Sequence, residues 1–387
     1  MPTSTLPQLE VSQALLDEIS ARADEAERAG NLPLDLLEAM RDAGIFRMMQ
    51  PTALGGYEVH PAELISIVER LSHADGSAGW IGSIGAGGPA FTAWLDPAVA
   101  RDVLGPNADL SIATVFAPTG QLRPGDGGVH HLSGRWPFAS GCRHAHWFFT
   151  GAFVFDADAP RITEQGPDWR LALFPSDQGQ IIDNWDVLGM RATGSNDIEA
   201  RDVRVPDELL IRPFFEPARH DGPVWRLSFF TLAGIALVGV PLGIARRALD
   251  ELTPLARTRV RAGTFTPLSD DGHVQIELAR AEGRLRSAQA MVFDVLDDLW
   301  QTATRGDAPT IEQRATFQLA TNEALRASVE AVDTAFTLAG SSVVRPHPIQ
   351  RCFRDVHTVA QHAYFSPVAM QRFAKVRLGI EQPTVFM

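Results

Sequence analysis

Two cysteines, Cys142 and Cys352, in 387 residues are too few for a disulfide framework, which fits folding in a reducing compartment. Positive charge is also scarce. The formal net charge of −13 excludes a nucleic-acid surface or a polybasic membrane contact as the main role. The apolar run Thr231–Ala245 is shorter than the roughly 18–20 residues that span a bilayer. It contains Gly234, Gly239, Pro241 and Gly243, and predicts a buried helix. Residues 1–10, MPTSTLPQLE, have neither a basic n-region nor an apolar core, so a cytoplasmic chain with no secretory signal is expected. No G-x-G-x-x-G opens a strand–helix unit and no Walker A motif is present, which disfavours nicotinamide binding and NTP hydrolysis.

The chain is longer than one core usually serves, so two or three subdomains are expected. Residues 1–110 are helical in pattern. Leu15, Leu16, Ile19, Ala23 and Ala26 repeat at helical spacing until Gly30, and Pro33 opens a helix that Gly44 ends. A third helix carries Leu64, Ile65, Ile67, Val68 and Leu71 and meets the loop His73–Gly79, where Asp75 reads as an N-cap. Asp96-Pro97 starts another short helix, closed by Gly105-Pro106. From Ser111 to Pro217, β-rich runs (SIATVF, HWFFTGAFVF, LALFP, QIIDNW, EARDVRVP) alternate with Gly, Pro and Asp clusters. Residues 218–387 return to helical period, with long helices expected at 228–260, 274–305, 311–339 and 350–378 that bundle together. The fold class is α+β, with a β-domain inserted between helical regions.

Two segments carry the chemistry. HLSGRWPFASG (131–141) reads as a strand exposing Trp136, Phe138 and Ser140 on one side, because strand side chains alternate with period two. WDVLGMRATGSNDI (185–198) reads as a turn-rich loop holding Gly189, Arg191, Thr193, Gly194 and Ser195. An aromatic wall, a hydroxyl and a cationic glycine loop suit a flat, electron-rich, partly anionic ring such as a flavin.

These two segments, the Val205-Pro206 strand end and Arg351-Cys-Phe-Arg354-Asp355 together resemble the acyl-CoA dehydrogenase superfamily over roughly residues 10–380. The resemblance implies N-terminal helices, a small central β-barrel or sheet and a C-terminal four-helix bundle. It also implies flavin contacts from Trp136, Phe138, Ser140, Arg191, Thr193 and Ser195, and a phosphate contact from Arg261. The dehydrogenases need a carboxylate base. Its two usual places fall near Ala363 and near Ala256-Arg257, and no acid lies between Val356 and Phe373. His362 stands there instead, which resembles the monooxygenase branch: oxygenase components of phenol hydroxylases, dibenzothiophene monooxygenase and aminosugar N-oxygenases.

That branch implies reduced FMN or FAD supplied by a separate NAD(P)H-dependent flavin reductase. Dioxygen forms a C4a-hydroperoxyflavin, which hydroxylates an aromatic or heteroaromatic small molecule. Ser140 would hydrogen-bond the flavin near N5 and C4a. His362 would act as a base or as a partner to the peroxide, and Trp80 would face the substrate pocket. A homotetramer, or at least a dimer, is expected because the Thr231–Ala245 face is too apolar to stand free.

Plainer readings compete. Trp136 and Phe138 also suit a barrel core, and His362 a satisfied helix histidine. Cys142, His144 and His146 alternate, so on a strand they would share a face and permit a metal site; a structural wall is the preferred reading and no metal is assigned. His357 reads as a surface or supporting residue, and His130-His131 as loop residues. Rival functions are an acyl-CoA dehydrogenase with an unrecognised base, a non-catalytic family member, and a metal enzyme.

Overall fold

A computed structural model describes residues 9–105, 111–260, 263 and 265–381. Among the described residues six α-helices come first: α1 (Gln13–Ala21), α2 (Ala23–Ala29), α3 (Leu34–Asp42), α4 (Pro61–Ala74), α5 (Gly76–Ala90) and α6 (Pro97–Leu104). The caps are those the sequence signals. Gly30 closes α2 in left-handed backbone, the Asp75 carboxylate accepts from Ala78 N to open α5, and Asp96 accepts from Ala98 N to open α6. The first periodic run is two helices rather than one, broken at Arg22 (φ −100°, ψ 7°).

Among the described residues ten strands follow: β1 (Ile112–Pro124), β2 (Val129–Trp136), β3 (Trp147–Asp156), β4 (Ala159–Pro160), β5 (Ile162–Thr163), β6 (Gly166–Pro167), β7 (Trp169–Pro175), β8 (Gln180–Ile182), β9 (Asp197–Pro206) and β10 (Leu210–Ile211). The main sheet runs β10-β7-β3-β1-β2-β9-β8. It is mixed, since β1 pairs parallel with β3 and antiparallel with β2. Its own core gathers Leu122, Leu132, Trp136, Phe148, Phe174 and Ile198. His130 and His131 lie in β2 rather than a loop, beside Asp207 and Asp202 at 2.8 Å each.

Five further α-helices lie among the described residues: α7 (Phe229–Thr258), α8 (Gly272–Thr304), α9 (Ile311–Ala339), α10 (Pro348–Val359) and α11 (Pro367–Arg377). The helix expected at 350–378 is therefore two. Ser366-Pro367 restarts it, proline serving at the first turn where its missing N–H is harmless. α7 is long and apolar enough to cross a membrane, yet 83% of its apolar window is buried in the chain, packed by α4, α5, α9 and α10. This corrects the argument for self-association from Thr231–Ala245, because that face is already covered within one chain.

Candidate active site

β2 stops at Trp136, and the chain then turns. Phe138 has φ 65°, a left-handed backbone unusual for an aromatic residue, so period-two alternation ends there. Trp136 therefore does not join Phe138 and Ser140 on one face. It is fully buried in the β-domain core, and its indole N–H donates to Gly151 O at 2.7 Å. Its expected place on a flavin wall is corrected: it is a core residue. Phe138 is 68% exposed, edge-on to Trp185 at 6.0 Å.

The turn is tied to the 185–198 loop by backbone. Ala139 N donates to Asn196 O at 3.0 Å, and Gly141 N to Thr193 O at 3.1 Å. These bonds set Ser140 against Ser195. A row of buried groups results. Trp80 Nε1 donates to Ser140 Oγ at 2.9 Å; Ser140 Oγ lies 2.7 Å from Ser195 Oγ; Ser195 Oγ lies 2.7 Å from Thr193 Oγ1; Thr193 Oγ1 donates to Met190 O at 2.8 Å.

The two ends fix the direction of the row. An indole N–H only donates and a carbonyl only accepts. With the Thr193 proton on Met190 O, Ser195 must donate to Thr193, and Ser140 must donate to Ser195. Ser140 Oγ then accepts from Trp80 and keeps one lone pair. It offers an acceptor, not a donor, to whatever lies beside it.

His362 packs against Trp80, their rings edge-to-face at 5.2 Å. The residue is partly exposed, but its ring is desolvated, and burial pushes its pKa down to about 4. The imidazole is neutral at physiological pH. Tyr364 N donates to His362 Nδ1 at 3.3 Å, so the ring proton sits on Nε2.

The remaining expected residues fall out differently. Arg191 Nη1 donates to Val187 O at 2.8 Å, with Asp186 at 3.4 Å, while its side chain stays part-exposed beside the loop. Arg261 lies outside the described residues. Cys142–His144 form a 3-10 turn, not a strand, and their groups diverge: Cys142 Sγ donates to Gly194 O, while His146 Nδ1 accepts from Ser111 N. His357 is half-buried and hydrogen-bonded to Asp333 at 2.8 Å.

Two groups were not read from sequence as site residues. Asn196 braces the loop, its Oδ1 accepting from Asn184 N and Trp185 N. Asp355, known only as part of a motif, accepts from Met190 N at 2.5 Å. Gly189 allows that approach, since a Cβ there would lie 2.2 Å from Arg354 O.

A flavin ring fits this ground on two observations. Phe138 stands exposed and edge-on to Trp185 beside a buried hydroxyl row, an arrangement that a flat group would cover. The row ends on a Ser140 lone pair that no described group uses.

Comparison with known proteins agrees. Residues 5–108 match the acyl-CoA dehydrogenase N-terminal domain, and residues 235–367 the acyl-CoA dehydrogenase C-terminal domain. The chain is 32% identical to an indole-3-acetate monooxygenase of Pseudomonas putida, covering 99% of this chain and 96% of the relative. It is 28% identical to the flavin-dependent monooxygenase oxygenase subunit HsaA of Rhodococcus jostii, covering 92% and 93%. The crystal structure of 3-HSA hydroxylase from Rhodococcus sp. RHA1 superposes with a TM-score of 0.89 at 28% identity, covering 97% of each chain. The chain belongs to the acyl-CoA dehydrogenase superfamily, among the oxygenase components of flavin-dependent monooxygenases.

Proposed function

We propose that this protein hydroxylates an aromatic or heteroaromatic small molecule with dioxygen and a reduced flavin, FMN or FAD, delivered by a separate NAD(P)H-dependent reductase. The observation that carries the reading is the polarity of the Trp80–Ser140–Ser195–Thr193 row. A reduced flavin carries an N–H at N5 that the oxidised form lacks, and the lone pair of Ser140 matches that donor. When bound, the reduced flavin supplies the electrons that activate dioxygen.

The chain's own residues supply the rest. Ser140 and Ser195 orient the ring's polar edge, and Phe138 with Trp185 covers it. Arg191, Thr193 and Ser195 form the loop against it, and Trp80 and His362 face the substrate. Trp136 supports the site from the β-domain core. His362 presents Nε2–H as a hydrogen-bond donor, because Tyr364 already occupies Nδ1. As a neutral imidazole in a desolvated place, it adds no free proton to the site. The region after α10 holds no carboxylate between Val356 and Phe373, so it lacks the base that thioester oxidation needs.

Cytoplasmic location and self-association into a homotetramer belong to the same proposal; light scattering on the purified protein tests the latter. The function is tested with reduced FMN or FAD, oxygen and a panel of indoles and phenols that includes indole-3-acetate. Oxygenated product from one of them is expected. Failure on every aromatic compound, with turnover of an acyl-CoA under anaerobic conditions, would overturn the reading.

A further inference from the structure

Met190 is the hinge of the hydroxyl row. It is buried and sits at φ 56°, ψ 31°, a left-handed conformation that an unbranched apolar residue holds only when its surroundings impose it. Its carbonyl accepts from three groups: Thr193 Oγ1 at 2.8 Å, Thr193 N at 3.2 Å and Trp185 Nε1 at 3.2 Å. Its N–H has one acceptor, Asp355 Oδ1 at 2.5 Å.

Asp355 is 3% exposed, and it reaches this peptide from α10. Next to it lies Asp75, itself 6% exposed, whose carboxylate caps α5 through Ala78 N at 3.0 Å. Gly76 allows the approach, since a Cβ there would meet Asp355 Oδ2 at 3.0 Å. Arg351 Nη1 stands 3.8 Å from Asp75 Oδ2. One carboxylate thus anchors the helix that carries Trp80, the donor end of the row. The other anchors Met190, the acceptor end. Nothing in the hydroxylation chemistry uses either group directly.

We infer that Asp355 is a positioning residue: by holding the Met190 N–H it keeps Met190 in its left-handed backbone, which turns the carbonyl of the following peptide unit toward Thr193, sets the direction of the hydroxyl row and makes Ser140 an acceptor selective for reduced flavin. Without an acceptor at position 355, Met190 relaxes from its left-handed backbone, and the carbonyl of the following peptide unit turns away. Thr193 is then free to donate to Ser195, the row reverses, and Ser140 presents a proton to the ligand. This inference rests on the function proposed above.

The test is equilibrium binding, under anaerobic conditions, of reduced and of oxidised FMN to the full-length protein, read as the ratio of the two dissociation constants. Wild type should prefer reduced flavin by roughly tenfold, the worth of one net hydrogen bond. D355N keeps a carbonyl oxygen toward Met190 N and should retain the ratio. D355A should lose most of it. Should alanine at this buried place not fold, D355L, nearly isosteric with aspartate, takes its part. T193V, which cuts the row without touching the carboxylates, should lose the ratio equally, and D355A/T193V should lose no more than either single variant.

A ratio unchanged in D355A or D355L, or losses that add in the double variant, would overturn the inference while leaving the function intact. Wild-type protein that binds neither flavin, nor FAD in their place, would remove both.

Discussion

Tyr364 sets the tautomer of His362: its backbone N–H donates to Nδ1 at 3.3 Å and leaves the ring proton on Nε2. A base would need the reverse. Under the function proposed above, His362 serves as a donor that directs oxygen transfer rather than as a base. In His362→Ala, flavin oxidation should continue while oxygenated product per oxygen consumed falls by about 10²-fold, at the lower end of what one positioned proton-bearing group contributes. The missing product should appear as hydrogen peroxide, read with a peroxidase assay. Unchanged coupling would refute the role. The same depressed pKa, about 4, carries a stability sign. The unfolded chain binds a proton here below about pH 6.5 and the native state does not, so this contribution is lost as pH falls from about 6.5 to 4.

Ser140 is the acceptor for a buried indole. Ser140→Ala leaves Trp80 Nε1 without a partner in a residue only 8% exposed. An orphaned buried donor costs about 1–3 kcal/mol, so the midpoint of urea unfolding should fall accordingly. Adding Trp80→Phe to the Ser140→Ala variant removes the orphan and should recover part of that loss. No recovery would mean the indole had found another acceptor.

Legibility in the sequence followed the range of each interaction. Gly30, Asp75 and Asp96-Pro97 marked helix ends correctly, because a cap is settled within four residues. Ser366-Pro367 is an equally local signal that splits the 350–378 segment, and the reading of that segment as one helix missed it. Period two failed between Trp136 and Ser140 because the left-handed Phe138 lies between them, and no hydropathy pattern encodes a positive φ in an aromatic residue. Trp80, Ser140, Thr193 and Ser195 were each legible, but their order in one row depends on backbone bonds between 139–141 and 193–196. The Asp75–Asp355 pair was hidden altogether, joining an N-cap to a helix from the other end of the chain.

Trp136 now reads as core, and that has a measurable consequence. Trp136→Ala should cost about 3–5 kcal/mol of stability, as large aromatic truncations in packed cores do. Trp136→Phe removes the indole bond to Gly151 O and should cost less. At temperatures where the Trp136→Phe variant stays folded, flavin affinity should remain within about twofold of wild type, because no interaction with the ring has been removed. A selective loss of flavin binding in a fully folded variant would return Trp136 to the cofactor wall.

Asp355 should make the protein less stable as pH rises. Its carboxyl is pushed up to about 7, first by burial and then by Asp75 from α5, while Met190 N, Arg354 and Arg351 pull the other way. Glu27 from α2 lies beside both arginines. In the unfolded chain the carboxyl titrates near 3.9. Between about pH 4 and 7 the native state therefore holds the extra proton, so this contribution falls as pH rises through that window and levels off above it. D355N has no such proton to lose. The unfolding midpoint of D355N relative to wild type should climb between pH 5 and pH 8, with a slope of the same sign left in both proteins by Asp75, which burial also shifts upward. A difference between the two proteins that stays constant across that range would mean that Asp355 is already ionised at pH 5, and that Arg351 and Arg354 outweigh its burial.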